Sequence, residues 1–216
     1  METWIRAADD ERAIGVIAET VDFLVLDKPA DLLSVPGKTQ QDCLEARVQA
    51  HYPDALTVHR LDMATSGICV MARGKTNLSD LQQQFEKRKT TKVYEAVVAG
   101  HVIGDTGTVD APIVCDWPNR PLQMIDYERG RQAITHWRVI DRYHDQTRME
   151  LKPITGRSHQ LRVHMRSIGH AVLGDHWYAN EQVRVASPRL LLHARALGFT
   201  SPTTGEDVHF SSPCPF

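Results

Sequence analysis

Asp62 is the residue whose setting most directly suggests chemistry. It lies in His59-Arg60-Leu61-Asp62-Met63-Ala64-Thr65-Ser66-Gly67. Thr57 to Leu61 reads as a strand segment and Thr65-Ser66-Gly67 as the turn after it, which puts the carboxylate at a rim where backbone and hydroxyl donors can hold it as an anion. An ionised carboxylate in such a place can act as a nucleophile or a base. Arg60, two residues earlier, falls on the same strand face. Read locally, the same residues also fit an Asx-type turn or an Arg–Asp surface pair.

A second constellation runs from Lys152 to Arg166 and includes Gly156-Arg157-Ser158-His159-Gln160-Leu161-Arg162. With Ser158 as a helix cap, Arg162 and Arg166 are four apart and share a face, where an arginine can pair with a carboxylate or grip phosphate. His159, His164, His170 and His176 crowd the same stretch, but their spacing matches no metal-ligand pattern, so no metal site is expected. Tyr94, in Lys92-Val93-Tyr94, sits on a strand beyond a basic helix end, where it can either stack on a base or simply pack. Leu190-Leu191-Leu192 reads as core. Phosphate-loop, dinucleotide and G-x-S-x-G signatures are absent from the sequence, which removes the usual support for nucleotide-triphosphate, NAD and α/β-hydrolase chemistry.

The elements that must position these residues follow from the hydrophobic pattern. Val21 to Leu26, Gly67 to Ala72 and Lys92 to Gly100 read as strands, and Gln132 to Tyr143 and Arg148 to Pro153 as a pair joined at His144-Asp145-Gln146. Gln41 to Tyr52, Asn77 to Lys87 and Ser158 to Ile168 have helical spacing. Arg189 to Leu197 is a buried strand or a short helix, which period alone does not decide. Cys115 to Gly130 reads as a surface loop. Strands dominate without a βα rhythm, so the expected class is α+β with a mixed, mostly antiparallel sheet. No linker divides the 216 residues, and one catalytic unit spanning residues 1–216 is expected.

Apolar residues make up 42% and charged residues 24%, the composition of an ordinary globular enzyme. The net charge of -2 gives no general pull toward polyanions, but it is a sum of opposed patches. The first 31 residues are acidic, whereas Arg73 to Lys92 and Lys152 to Arg166 are basic. Four dispersed cysteines without a C-x-x-C spacing, no signal-peptide pattern and no long apolar run point to free thiols in the cytoplasm and no membrane partner.

Taken together, His59-Arg60-Leu61-Asp62 with Thr65-Ser66-Gly67, Asp27-Lys28-Pro29, Lys92-Val93-Tyr94 and Gly156 to Arg162 resemble the RluA family of RNA pseudouridine synthases. The motifs run in family order from about residue 20 to residue 200. The resemblance implies a central mixed sheet with a cleft and no cofactor. It implies Asp62 as nucleophile, Arg60 entering the RNA stack in place of the target uridine, and Tyr94 against the flipped base, removing a proton late in the reaction. Arg162 would pair with Asp62, and one of Leu190, Leu191 and Leu192 would pack on the base. Lys89, Arg157 and His159, in the basic stretches, would contact the RNA. Met63-Ala64, the Asp116 to Pro121 loop and the lack of an S4-like RNA-binding module resemble the family's dual-specificity branch, which modifies a 23S rRNA hairpin and tRNA anticodon stem-loops. A monomer is expected. A non-catalytic RNA-binding module is the competing reading. A glycoside hydrolase would need a second carboxylate where both motifs offer arginines.

Overall fold

A computed structural model describes residues 3–5 and 12–216; part of the acidic start, Glu2, Asp9, Asp10 and Glu11, lies outside the described residues. In chain order the elements are β1 (Thr3–Ile5), β2 (Ile14–Glu19), β3 (Phe23–Lys28), α1 (Leu44–Gln49), β4 (Ala55–Thr57), β5 (Ser66–Arg73), α2 (Lys75–Glu86), β6 (Thr91–Ala99) and β7 (Thr106–Asp110). There follow β8 (Ile113–Cys115), a 3-10 turn at Trp117–Asn119, β9 (Gln123–Ile125), β10 (Ile134–Arg142), β11 (Gln146–Pro153), α3 (Gln160–Ser167), α4 (Glu181–Val185), β12 (Leu192–Thr200) and β13 (Asp207–Ser211). The class is α+β, as expected. The chain divides into two compact units, one drawn from the chain up to Lys92 with His193–Pro215, the other from Val93–Leu192 with Phe216.

In the first unit the strand order is β1-β2-β3-β5-β12, with β13 on β12 and β4 on β5. All its pairings are antiparallel except β5 with β12, which run parallel where Ser66 faces His193 and Gly67 faces Ala194. Gly67 has φ 113, and a Cβ there would stand 2.3 Å from the Ala194 carbonyl oxygen, so only glycine permits this approach. The core gathers Phe23, Val25, Val58, Ile68, Val70, Ala72, Leu81, Leu197 and Phe199. Leu78, Leu81 and Phe85 turn one face of α2 onto it, the pattern expected of an amphipathic helix.

The second unit has the antiparallel order β6-β11-β10-β7 and a separate hairpin, β8-β9. The strand pair across residues 143–145 is as expected, with one irregularity between Val139 and Asp141. The surface loop expected over Cys115 to Gly130 is in part this hairpin, held by its own ladder from Ile113↔Ile125 to Cys115↔Gln123. Arg189 to Leu197 resolves as a lead-in followed by strand β12.

Candidate active site

Asp62 does not close a strand. Strand β4 ends at Thr57, and residues 58–62 follow no regular path, because their backbone groups are held by side chains rather than by a ladder. Ser34 Oγ donates to the Leu61 carbonyl at 2.7 Å and accepts from the Leu61 N–H at 3.1 Å. Lys28, fully buried, donates through Nζ to the carbonyls of Pro29, Leu32 and Met63 at 2.8, 2.7 and 2.9 Å. The residues immediately before and after Asp62 are therefore pinned. The Thr65 N–H closes the turn onto the Asp62 carbonyl at 3.1 Å.

His59 fills a gap in the ladder. Strand β5 pairs with β12 at Ser66 and Gly67 and with β4 from Met71 onward; between these partners the Val70 N–H donates to His59 Nε2 at 3.1 Å. The imidazole stacks on Phe85 with centroids 4.4 Å apart. Burial, aided by Lys92, pushes its pKa down to about 3, so the ring is neutral and serves as an acceptor. Val58 and Leu61 are buried, Asp62 is half-buried, and Arg60 is exposed. Of the two residues the sequence singles out, Arg60 is thus open to solvent and Asp62 partly so, and Met63 after them is exposed as well. Ser66 Oγ lies 2.9 Å from His193 Nδ1, which fastens the end of the turn.

Lys89 is exposed just beyond α2. Lys92, in the same basic stretch, is half-buried, and burial together with the Arg88 charge lowers its pKa.

In the second unit Tyr94 lies on β6, half-buried and opposite Leu151 of β11. Helix α3 begins at Gln160 with His159, not Ser158, in the N-cap position. The Gln160 side chain ties the start of the helix to its surroundings: its Oε1 accepts from the Arg157 N–H and from Thr155 Oγ1, and its Nε2 donates to the Ile134 carbonyl and Thr135 Oγ1. His164 bridges Thr135 Oγ1 and the Ala111 carbonyl, both about one hydrogen bond away at 2.9 and 3.0 Å. Burial lowers its pKa too, against the opposing pull of that carbonyl and Asp110.

Arg162 is buried and forms a bidentate ion pair with Asp175, Nε to Oδ2 at 2.8 Å and Nη2 to Oδ1 at 2.7 Å. Asp175 Oδ1 also accepts the N–H groups of Trp177 and Tyr178. Burial alone would raise the Asp175 pKa; the Arg162 guanidinium and those two N–H groups outweigh it and hold the carboxyl below its ordinary value. Arg162 is therefore buried and oriented by Asp175. Among the other cations of this stretch, Lys152 pairs with Glu150 at 3.1 Å, Arg157 donates to the Gln132 carbonyl, and Arg166 is exposed. His159 Nδ1 is 2.6 Å from Tyr178 Oη, which in turn accepts from the Gln123 N–H of β9.

Leu190 and Leu192 are core, while Leu191 keeps part of its surface open. Its backbone is fixed by the Leu191 N–H to the Leu173 carbonyl and by the Val97 N–H to the Leu191 carbonyl.

A family model described as RNA pseudouridylate synthase matches residues 22–167. The chain belongs to this family. The pseudouridylate synthase match takes in Arg60, Asp62, Lys89, Tyr94, Arg157, His159 and Arg162. The chain is 49% identical over 197 residues to the dual-specificity RNA pseudouridine synthase RluA of Escherichia coli K12, covering 90% of each. It is 47% identical over 204 residues to the protein of that name from Yersinia pestis, covering 93% of this chain and 99% of that one. Among solved structures, human RNA pseudouridylate synthase domain containing 1 superposes with a TM-score of 0.81 at 28% identity, covering 98% of this chain and 87% of that one. The mixed α+β architecture is thus that of a pseudouridine synthase.

Sequence reasoning missed the groups that hold the site. Lys28 stands in a motif already singled out, but its bond to Met63 is visible only in three dimensions. Asp175 and Trp177 lie in Gly174-Asp175-His176-Trp177-Tyr178, beyond the matched segment, and an acid beside two aromatics after a buried stretch was the available signal.

Proposed function

We propose that this protein isomerises uridine to pseudouridine in RNA stem-loops, with a 23S rRNA hairpin and tRNA anticodon stem-loops as substrates. The observation that carries this reading is Asp62, presented on a backbone pinned on both sides in a chain nearly half identical to dual-specificity synthases. In the reaction the N1–C1′ bond of the target uridine breaks, the uracil turns, a C5–C1′ bond forms, the C5 proton leaves, and N1 takes up a proton. The Asp62 carboxylate acts on C1′, either by attack or by assisting elimination to a glycal, and Tyr94 takes the proton late. The exchange involves no electrons and no external group, so its stoichiometry requires no cofactor.

Arg60, exposed beside Asp62, enters the stack that the uridine vacates, and the open side of Leu191 packs on the base. Arg162, oriented by Asp175, supplies the active-site cation, while Lys89, Arg157 and His159 contact the RNA. A base in a loop leaves its stack at a lower cost than one in a duplex, which suits stem-loop substrates. The protein works as a cytoplasmic monomer in which residues 1–216 act as one catalytic domain.

Pseudouridine mapping of transcribed anticodon stem-loops and the rRNA hairpin, incubated with wild type and Asp62→Asn, tests the proposal. The variant is expected to lose at least about a thousandfold in rate while binding RNA within roughly twofold. Modification that survives the substitution would overturn the role of Asp62. Wild-type protein that binds both RNAs and isomerises neither would replace an enzyme with a binding module.

A further inference from the structure

We infer that Trp177 is a stacking shelf for an unpaired base of the RNA substrate, and that it favours looped over fully paired RNA. This rests on the reading of the protein as an RNA-modifying enzyme. The indole is 46% exposed, a broad flat apolar surface held in water. It is nevertheless firmly mounted. The Trp177 backbone N–H donates to Asp175 Oδ1 at 2.9 Å, and that carboxylate is itself locked to Arg162. The Arg162 guanidinium lies 5.0 Å from the ring centroid, and the His159 ring lies 4.9 Å away.

His159 occupies a left-handed backbone conformation, φ 54, which a residue with a Cβ adopts only when its surroundings impose it. Those surroundings are the Tyr178 hydroxyl at 2.6 Å and the first turn of α3. The strained residue is thus the one that braces the indole. An aromatic ring held in advance loses little freedom on stacking, and the Arg162 guanidinium on it fixes the ring's position. Bases inside a duplex offer no free face, so a shelf of this kind discriminates by pairing state rather than by base identity.

The test uses the full chain with Trp177→Phe and Trp177→Leu. Titration with an anticodon stem-loop is followed by tryptophan emission and by anisotropy of labelled RNA, beside a loopless duplex of equal length. Trp177→Leu is expected to bind the stem-loop about tenfold more weakly, to raise KM by a similar factor with kcat little changed, and to bind the duplex as wild type does. Trp177→Phe is expected to stay within about threefold of wild-type affinity and to abolish the emission quench that the stem-loop causes. Stem-loop affinity untouched in Trp177→Leu, or a quench equal in wild type and Trp177→Phe, would overturn the shelf. A fall in kcat at saturating RNA with affinity intact would also overturn it and make the indole mere packing around Arg162. Should Trp177→Leu fail to fold, the Phe variant decides through the quench. Quenching without pseudouridine formation by wild type would sink the enzymatic reading and leave the shelf standing.

Discussion

The segment around Asp62 and helix α3 are fixed in opposite ways. Residues 58–63 have no ladder or helix of their own, and the hydrogen bonds that hold their backbone come from Ser34 and Lys28, 27 and 35 residues away. Because other residues hold the backbone, the side chains of Arg60 and Asp62 are left facing outward. In α3 the backbone is self-supporting, and its side chains do the anchoring: Gln160 and His164 on Thr135, and Arg162 on Asp175. Six consecutive residues, Gln160 to Met165, are buried as a result. An irregular segment held from outside can present reactive groups, whereas a regular one clamped through its own side chains is suited to carrying fixed charge.

That contrast can be broken from either side. The largest stability effect is expected for Asp175→Ala, which takes the bidentate acceptor from a buried guanidinium and should cost about 3 kcal/mol or more in urea unfolding. A loss below about 1 kcal/mol would mean that α3 does not depend on its ion pair. Lys28→Met should cost about 2 kcal/mol, since three carbonyls lose their donor while the cost of burying the ammonium is also removed. Its activity should fall about tenfold even well below the melting temperature, because the Met63 carbonyl is released beside Asp62. Unchanged activity in a folded Lys28→Met protein would show that the pin on Met63 is dispensable.

The smallest effect at neutral pH is expected for His59→Gln, within about 1 kcal/mol, because the amide oxygen can still accept from Val70. It should become visible in acid. The folded imidazole titrates at about 3, whereas the unfolded chain takes up its proton near 6.5. Stability from this group is therefore complete above about 6.5 and falls as pH drops toward 3, by about 2 kcal/mol at pH 5. The variant should lose that part of the acid slope and keep the part due to His164. An identical slope in both proteins would show that His59 protonates in the folded state without penalty.

Much of the scaffold was legible because the pattern and the cause coincide. Strands β5 and β6 are runs of apolar and β-branched residues, and α2 places Leu78, Leu81 and Phe85 on one face. Residues 58–61 misled because Val58 and Leu61 are buried as strand residues would be, while in the gap between β4 and β12 it is the His59 side chain and not a strand backbone that meets β5. Ser158 looked like the cap, but the N-cap position falls to His159, whose side chain makes no cap bond. The leucines at 190–192 are apolar in either conformation, so period could not separate them. Asp175 carried only the weak signal of an acid beside two aromatics, and its role shows when Arg162 stands beside it.

The close approach of Gly67 to Ala194 also ties the turn that carries Asp62 to a strand far along the chain. The parallel pairing of β5 with β12 joins residues 127 positions apart, as does the bond from Ser66 to His193. The far end of the turn is thus clamped between two strands, Lys28 of β3 on one side and β12 on the other, so its geometry is completed by residues made long before it and long after it.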